Sequence, residues 1–229
     1  MANVLVLAPH ADDETLGVGG TMAKHIDEGD DVAVAIATGA GVAPDGHPLF
    51  EQEEFDEVRA EAARSLERLG VTNLTFGNLP SVAFPQKPVW EVNEEVHRLI
   101  AAHEPDILYV PFPYDLHGDH RALFHAASVA WRPTTEMGRS IKRVLAYEVQ
   151  SETHWNASYL EPGFTPNIWV SLSESQLQRK LEALRCYESQ MYPFPHARSV
   201  QAVEHLARWR GSQQGLDAAE GFVLIKETW

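Results

Sequence analysis

Apolar residues recur along this chain in two alternating rhythms. Short, nearly continuous apolar runs stand at Val4 to Ala8, Asp31 to Ala37, Val71 to Phe76, Asp106 to Val110 and Arg143 to Val149, the pattern of strands buried on both faces. Between them the apolar positions shift to helical spacing. A helix from about Leu16 to Glu28 stops at Gly29; Phe55, Val58, Ala62, Leu66 and Leu69 form one stripe up to Gly70; Val92, Val96, Leu99 and Ile100 form another before Pro105; a further helix starts near Asp119. Strand–helix alternation of this kind predicts an α/β fold, a mostly parallel sheet with helices on both faces. The last third is less regular: a strand at Ile168 to Leu172, a helix at Glu174 to Gln190, a helix at Val200 to Arg210 and a closing strand at Phe222 to Ile225.

With 229 residues, 44% hydrophobic and 22% charged, the chain has the size and balance of one globular domain spanning 1–229. A net charge of −15 repels phosphate backbones and anionic headgroups, and no basic run offsets it, so neither a nucleic acid nor a membrane is expected as a partner. A homo-oligomer stays open. The single cysteine, Cys186, excludes an internal disulfide framework and points to a reducing, cytoplasmic setting. Its place in the helix from Glu174 reads as core rather than nucleophile. The chain shows neither a basic lead-in to an apolar leader nor an apolar stretch of about 18 residues, so no signal peptide or membrane span is expected.

Chemistry concentrates at two strand ends. The first strand runs into Pro9-His10-Ala11-Asp12-Asp13-Glu14, and the strand ending at Val110 runs into Pro113-Tyr114-Asp115-Leu116-His117-Gly118-Asp119-His120. Ligands of open α/β sheets bind beyond the carboxyl ends of the strands, so one rim collects both segments, together with the loop after Thr38 and the stretch from Gln150 to Trp155. His10, Asp13 and His120 form a two-histidine, one-carboxylate set with an open coordination position, the arrangement of a catalytic zinc site. Asp12 is then free to act as base, His117 to stabilise an oxyanion or protonate a leaving amine, and Asp119 to hold the His117 imidazole in one tautomer and raise its pKa. The bland alternatives are that Asp12 to Glu14 only complement a helix dipole and that Asp119 only caps its helix. The eight other histidines read as surface or hydrogen-bonded core residues.

Competing motifs are weaker. Gly17-Val18-Gly19-Gly20 lacks the third glycine of a dinucleotide fingerprint, which falls on Met22, and three carboxylates precede it, so these glycines are expected to let a helix pack closely on the sheet instead. His10-Ala11-Asp12 with a distant His120 also fits the His-x-Asp…His pattern of iron(II) oxygenases. A binding module that has kept a metal site is a third class.

These segments resemble the PIG-L/LmbE-like zinc-dependent N-acetylglucosaminyl deacetylases over nearly the whole chain, with weaker echoes at Arg59-Ala60-Glu61, Lys180 to Ala183, Tyr187-Glu188-Ser189-Gln190 and Ala219-Glu220-Gly221-Phe222. The resemblance implies a Rossmann-like fold without nucleotide and a metal-dependent hydrolase removing an N-acetyl or similar group from an amino sugar or sugar conjugate. A non-sugar amide of a natural product is the alternative substrate. One Zn2+ per chain, or another divalent ion, would be held by His10, Asp13 and His120, with Asp12 as base, His117 as transition-state stabiliser and Arg59 in contact with the N-acetylated small molecule. Ala11 departs from the family's usual proline. Specificity is expected from loops at Gly39 to Leu49, Ser81 to Pro88, Ser151 to Trp155 and Met191 to His196.

Overall fold

The computed structural model describes residues 1–40, 46 and 51–229. Its elements run β1 (Asn3–Ala8), α1 (Asp13–Glu28), β2 (Asp31–Ala40), α2 (Gln52–Leu69), β3 (Asn73–Pro80), α3 (Val89–Ala101), β4 (Ile107–Pro111), α4 (Gly118–Ala130), α5 (Glu136–Ser140), β5 (Arg143–Tyr147), α6 (Gln150–Thr153), β6 (Ile168–Ser171), α7 (Glu174–Leu184), α8 (Val200–Ser212) and β7 (Ala219–Glu227).

The sheet order is β3-β2-β1-β4-β5-β7-β6. β1 to β5 pair in parallel, whereas β7 lies antiparallel between β5 and β6. The expected α/β class is therefore present, with an antiparallel addition at one edge. Successive residues of a strand face opposite sides of a sheet, and β1 shows it. Val4, Val6 and Ala8 pack with α1, α2, α7 and α8 on one face; Leu5 and Leu7 pack with α3 and α4 on the other. A strand buried on both faces cannot alternate apolar with polar, which is why these runs read as continuous.

β1 lies between β2 and β4, so the chain leaves it toward one edge and later returns to its other side. Such a reversal opens a crevice at the strand ends. His10 follows β1, and His117 and His120 follow β4.

Glycines let α1 settle onto the sheet. A Cβ on Gly17 would come within 2.3 Å of the Tyr147 ring, and one on Gly20 within 2.4 Å of Leu172. The packing role read for these glycines thus agrees with their surroundings. Two local readings differ. α7 ends at Leu184 rather than reaching Gln190, and Cys186 lies beyond it, partly exposed; Tyr187 is buried as its place on the stripe with Leu177, Leu181 and Leu184 suggests, but from irregular chain past the helix end. The short helices α5 and α6 carry too few residues to show a period.

Candidate active site

The turn between β1 and α1 is built by its own carboxylates. The backbone N–H of His10 donates to Asp13 Oδ2 at 3.0 Å, and that of Asp12 to Glu14 Oε2 at 3.1 Å. Glu14 is fully buried and also accepts from Thr15 Oγ1 at 2.7 Å and from the Tyr187 hydroxyl at 2.6 Å. Asp12 has φ of 111°, a region that non-glycine residues seldom occupy and that clusters at functional sites. These bonds hold it there without a proline at position 11.

At the other strand end, His117 is the N-cap of α4. Its Nδ1 accepts the Asp119 backbone N–H at 3.1 Å. The first turn of α4 then carries Asp119 and His120 inward, both buried.

The two segments meet around Asp13. His10 Nδ1 lies 3.3 Å and His120 Nε2 3.2 Å from Asp13 Oδ2. The other nitrogen of each ring is held by a carboxylate: His10 Nε2 by Asp119 Oδ2 at 2.9 Å, His120 Nδ1 by Asp115 Oδ2 at 2.8 Å. Carboxylate–histidine pairs that aim the opposite ring nitrogen are the usual support of a metal centre. Asp13 Oδ1 and His120 Nε2 are buried without a hydrogen-bond partner among the described residues, a costly state unless something else satisfies them. His10, His117 and His120 also each present a nitrogen, all within 4.8 Å of one another. The donor set thus fits a divalent cation.

Charge supports the same reading. Burial opposes protonation of His120, but Asp13 and Asp115 outweigh it and raise its pKa to about 10; for His10, Asp119 and Asp13 do the same, to about 9. The cluster draws positive charge inward. Burial raises Asp12 to about 7, against the pull of Arg198.

His117 behaves otherwise than expected. Burial, then the charges of His10 and His120, push it down to about 4. The Asp119 carboxylate does not hold its ring, since it accepts from Phe84 N–H at 3.0 Å and pairs with His10; only the backbone N–H of Asp119 reaches His117. Asp119 therefore supports His10 and does not hold the His117 ring, because the first turn of α4 points it into the crevice; its charge does raise His117, as expected, but burial and the two imidazoles lower it by more. Nor does its side chain cap α4. His117, neutral and accepting at Nδ1, presents Nε2 as a donor.

The iron(II) reading requires Asp12 as ligand beside His10 and His120. Asp13 occupies that place; Asp12 Oδ2 instead faces Arg198, whose Nη1 lies 3.0 Å away in ion-pair contact without the alignment of a hydrogen bond.

A cavity of about 420 Å³ opens over these groups, within the usual range of small-molecule sites. His10, Asp12 and His117 stand in it, with Phe55, Val58, Phe76 and Val82 as apolar wall. Arg59 lines the wall too: its guanidinium sits 4.6 Å from the Phe76 ring and 5.1 Å from that of Phe55, and Nη2 donates to the Gly39 carbonyl at 3.2 Å. Its Nε is buried and unpartnered among the described residues. Of the four loops expected to set specificity, residues 41–45 and 47–49 of the first lie outside the described residues. Ser81 and Val82 line the cavity, while Trp155, 55% exposed, stands outside its lining and packs near the His196 ring.

Asp115 and Arg198 carry no role in the sequence reading. Asp115 lies inside the second motif, two residues before His117, but spacing alone does not say which ring it holds. Arg198 sits in irregular chain before α8, where no periodic signal exists. The weaker echoes prove to be ties around this core. Glu61 accepts from Ser189 N–H at 2.9 Å and its hydroxyl at 2.6 Å. Buried Lys180 pairs with Glu220, which in turn accepts Gly20 N–H at 2.9 Å and Thr21 N–H at 2.7 Å.

Comparison with known proteins agrees with this geometry. The family model PIG-L, described as GlcNAc-PI de-N-acetylase, matches residues 5–131. The diacetylchitobiose deacetylase of Thermococcus kodakarensis is 27% identical over 97% of this chain and 82% of its own length. Among solved structures, a conserved protein of Thermus thermophilus matches with a TM-score of 0.75 at 24% identity, over 100% of this chain and 97% of that one. The 4-carboxy-2-hydroxymuconate hydratase of Pseudomonas putida matches with a TM-score of 0.73 at 17% identity, over 100% and 98%. At such identities the likeness concerns the fold, which serves more than one reaction. Both strand-end segments fall within residues 5–131, and the match covers over half of the chain: it belongs to the PIG-L family.

Proposed function

We propose that this protein is a metal-dependent N-deacetylase, a hydrolase that takes an N-acetyl or similar N-acyl group from an amino sugar or sugar conjugate and leaves acetate and a free amine. The observation that carries the reading is the meeting of His10 Nδ1, His120 Nε2 and Asp13 beside a cavity that His10 and a separate buried carboxylate, Asp12, both line. The deacetylase function of the Thermococcus relative supports it.

His10, Asp13 and His120 would hold the ion, and two imidazoles with one carboxylate suit zinc. When bound, such an ion acts as a Lewis acid on the acyl oxygen and lowers the pKa of water at the site. Asp12, raised by burial to about 7, takes the proton of the attacking water, since a base works best near the operating pH. His117 offers Nε2–H to the oxyanion that forms on the acyl carbon. With burial and the neighbouring imidazoles pushing it down to about 4, His117 suits the first of the two roles read from sequence, stabiliser of the oxyanion, better than that of acid. The proton returns from Asp12 to the departing nitrogen as the carbon–nitrogen bond breaks, so one carboxylate serves as base and then as acid. Arg59, with its unpartnered Nε in the cavity wall, contacts the substrate. The single cysteine and acidic charge support a cytoplasmic setting; among the described residues no helix is long and apolar enough to cross a membrane.

Metal-loaded protein should release acetate from at least one member of a panel of N-acetylated sugars, sugar-inositol and sugar-malate conjugates and acetylated natural-product intermediates. Folded, metal-loaded protein that releases none, while hydrating an unsaturated carboxylic acid, would overturn the reading.

A further inference from the structure

Arg198 belongs to no segment that the family motifs cover, yet its guanidinium reaches the buried carboxylate beside the metal ligands. Nη1 lies 3.0 Å from Asp12 Oδ2. Nε donates to Ser151 Oγ at 2.9 Å, and Nη2 stands 3.5 Å from Glu152 Oε1. Three faces of the fork thus meet three residues, two of them on α6.

The backbone beneath it is also tied down. The Arg198 N–H donates to His196 Nδ1 at 3.0 Å, and its carbonyl accepts Tyr192 N–H at 3.1 Å. Ser199, buried, caps α8 by accepting Ala202 N–H at 3.1 Å. Guanidinium, chain and helix start form one rigid unit.

Asp12 needs such a partner. Its Oδ2 is buried and has no aligned hydrogen bond among the described residues. Its backbone at φ 111° fixes where the side chain leaves the turn but not the torsions beyond it. A base must keep its oxygen in one place to receive a proton, and a misplacement of about 1 Å can cost on the order of 10²-fold in rate. Resting on the reading of Asp12 as base, we propose that Arg198 is a positioning residue for Asp12, a fork anchored on Ser151 and Glu152 that holds the carboxylate in a single orientation facing the cavity. A lysine could supply the charge but not grip Ser151 and Asp12 together.

The test compares Arg198→Met, Arg198→Lys, Ser151→Ala, Asp12→Asn and the Asp12→Asn/Arg198→Met double variant. Each is checked for metal content by elemental analysis and for a cooperative melt. Arg198→Met should lower kcat on the order of 10²-fold, with KM changed only a few-fold. Arg198→Lys should recover part of the loss, and Ser151→Ala should show a smaller loss of the same kind. Adding Arg198→Met to Asp12→Asn should lower kcat no further, because a residue acting only through Asp12 has nothing left to act on. A crystal structure of Arg198→Met should show Asp12 in more than one side-chain orientation.

A raised KM at unchanged kcat would make Arg198 a substrate contact and overturn the proposal, as would losses that multiply in the double variant or a single unchanged Asp12 orientation. If Arg198→Met does not fold, normal kcat in both Arg198→Lys and Ser151→Ala overturns it. Should Asp12→Asn keep full kcat while Arg198→Met loses it, the base assignment falls instead.

Discussion

At the scale of single residues, two adjacent aspartates face different neighbours. Asp13 faces two imidazoles and Asp12 faces an arginine and the cavity. Asp12→Ala should therefore keep its metal, read by elemental analysis, and lose about 10²–10⁴-fold in turnover, the usual contribution of a general base; equal loss of both would make Asp12 a ligand. Asp115→Asn keeps the shape of the side chain and removes the charge beside His120 Nδ1. Its metal affinity should fall about 10–100-fold in competition with a chelator, as supporting carboxylates generally show. Unchanged affinity would mean that Asp115 merely fills space. The His, Asp and Glu types at the strand ends were legible because a metal site needs them together. Which carboxylate supports which ring was not, since Asp119 stands one residue from His120 in sequence and bonds His10, 109 residues away.

At the scale of elements, α1 is the piece on which the site depends, because its first turn carries Asp13 and its body rests on Tyr147 and Leu172 through glycines. Gly17→Ala would drive a methyl into the Tyr147 ring. Overpacking of this kind costs about 1–3 kcal/mol, and urea unfolding should show it, together with weakened metal binding as the helix start shifts. A variant as stable as the parent would mean that the ring can turn aside. The stripes of α2 and α3 were readable from spacing because each has one face to bury. The end of α7 and the irregular chain carrying Arg198 were not, because capping and cross-chain hydrogen bonds decide them locally.

Across the whole molecule, a buried ionic cluster joins the C-terminal half to the sheet: Glu148 accepts from Arg210 Nε at 2.7 Å and Nη2 at 2.6 Å and pairs with His154 at 2.6 Å. Burial pushes Glu148 up, but these hydrogen bonds outweigh it and leave its pKa below the ordinary 4.5. A carboxyl depressed in the fold stabilises it above its unfolded value, and that stability is lost as pH falls through the folded value. Arg210→Met should thus cost about 3–5 kcal/mol near pH 7, the penalty of leaving a buried charge unpaired, and the gap from the parent should narrow as pH falls, because the unpaired, buried Glu148 of the variant takes up its proton before the parent's does; denaturant melts across pH would show it, and a gap independent of pH would assign the loss to packing. The sequence by itself determined the strand–helix order, the two-faced burial of the sheet and the two strand ends that hold the metal-ligand types, because periodicity and side-chain chemistry are local properties of a chain. Only the tertiary structure decided which ring each carboxylate supports, that burial and two neighbouring imidazoles push His117 downward and that Arg198 faces Asp12. Those outcomes rest on burial and on distances between groups as far apart in the chain as Asp12 and Arg198, and no local pattern encodes them.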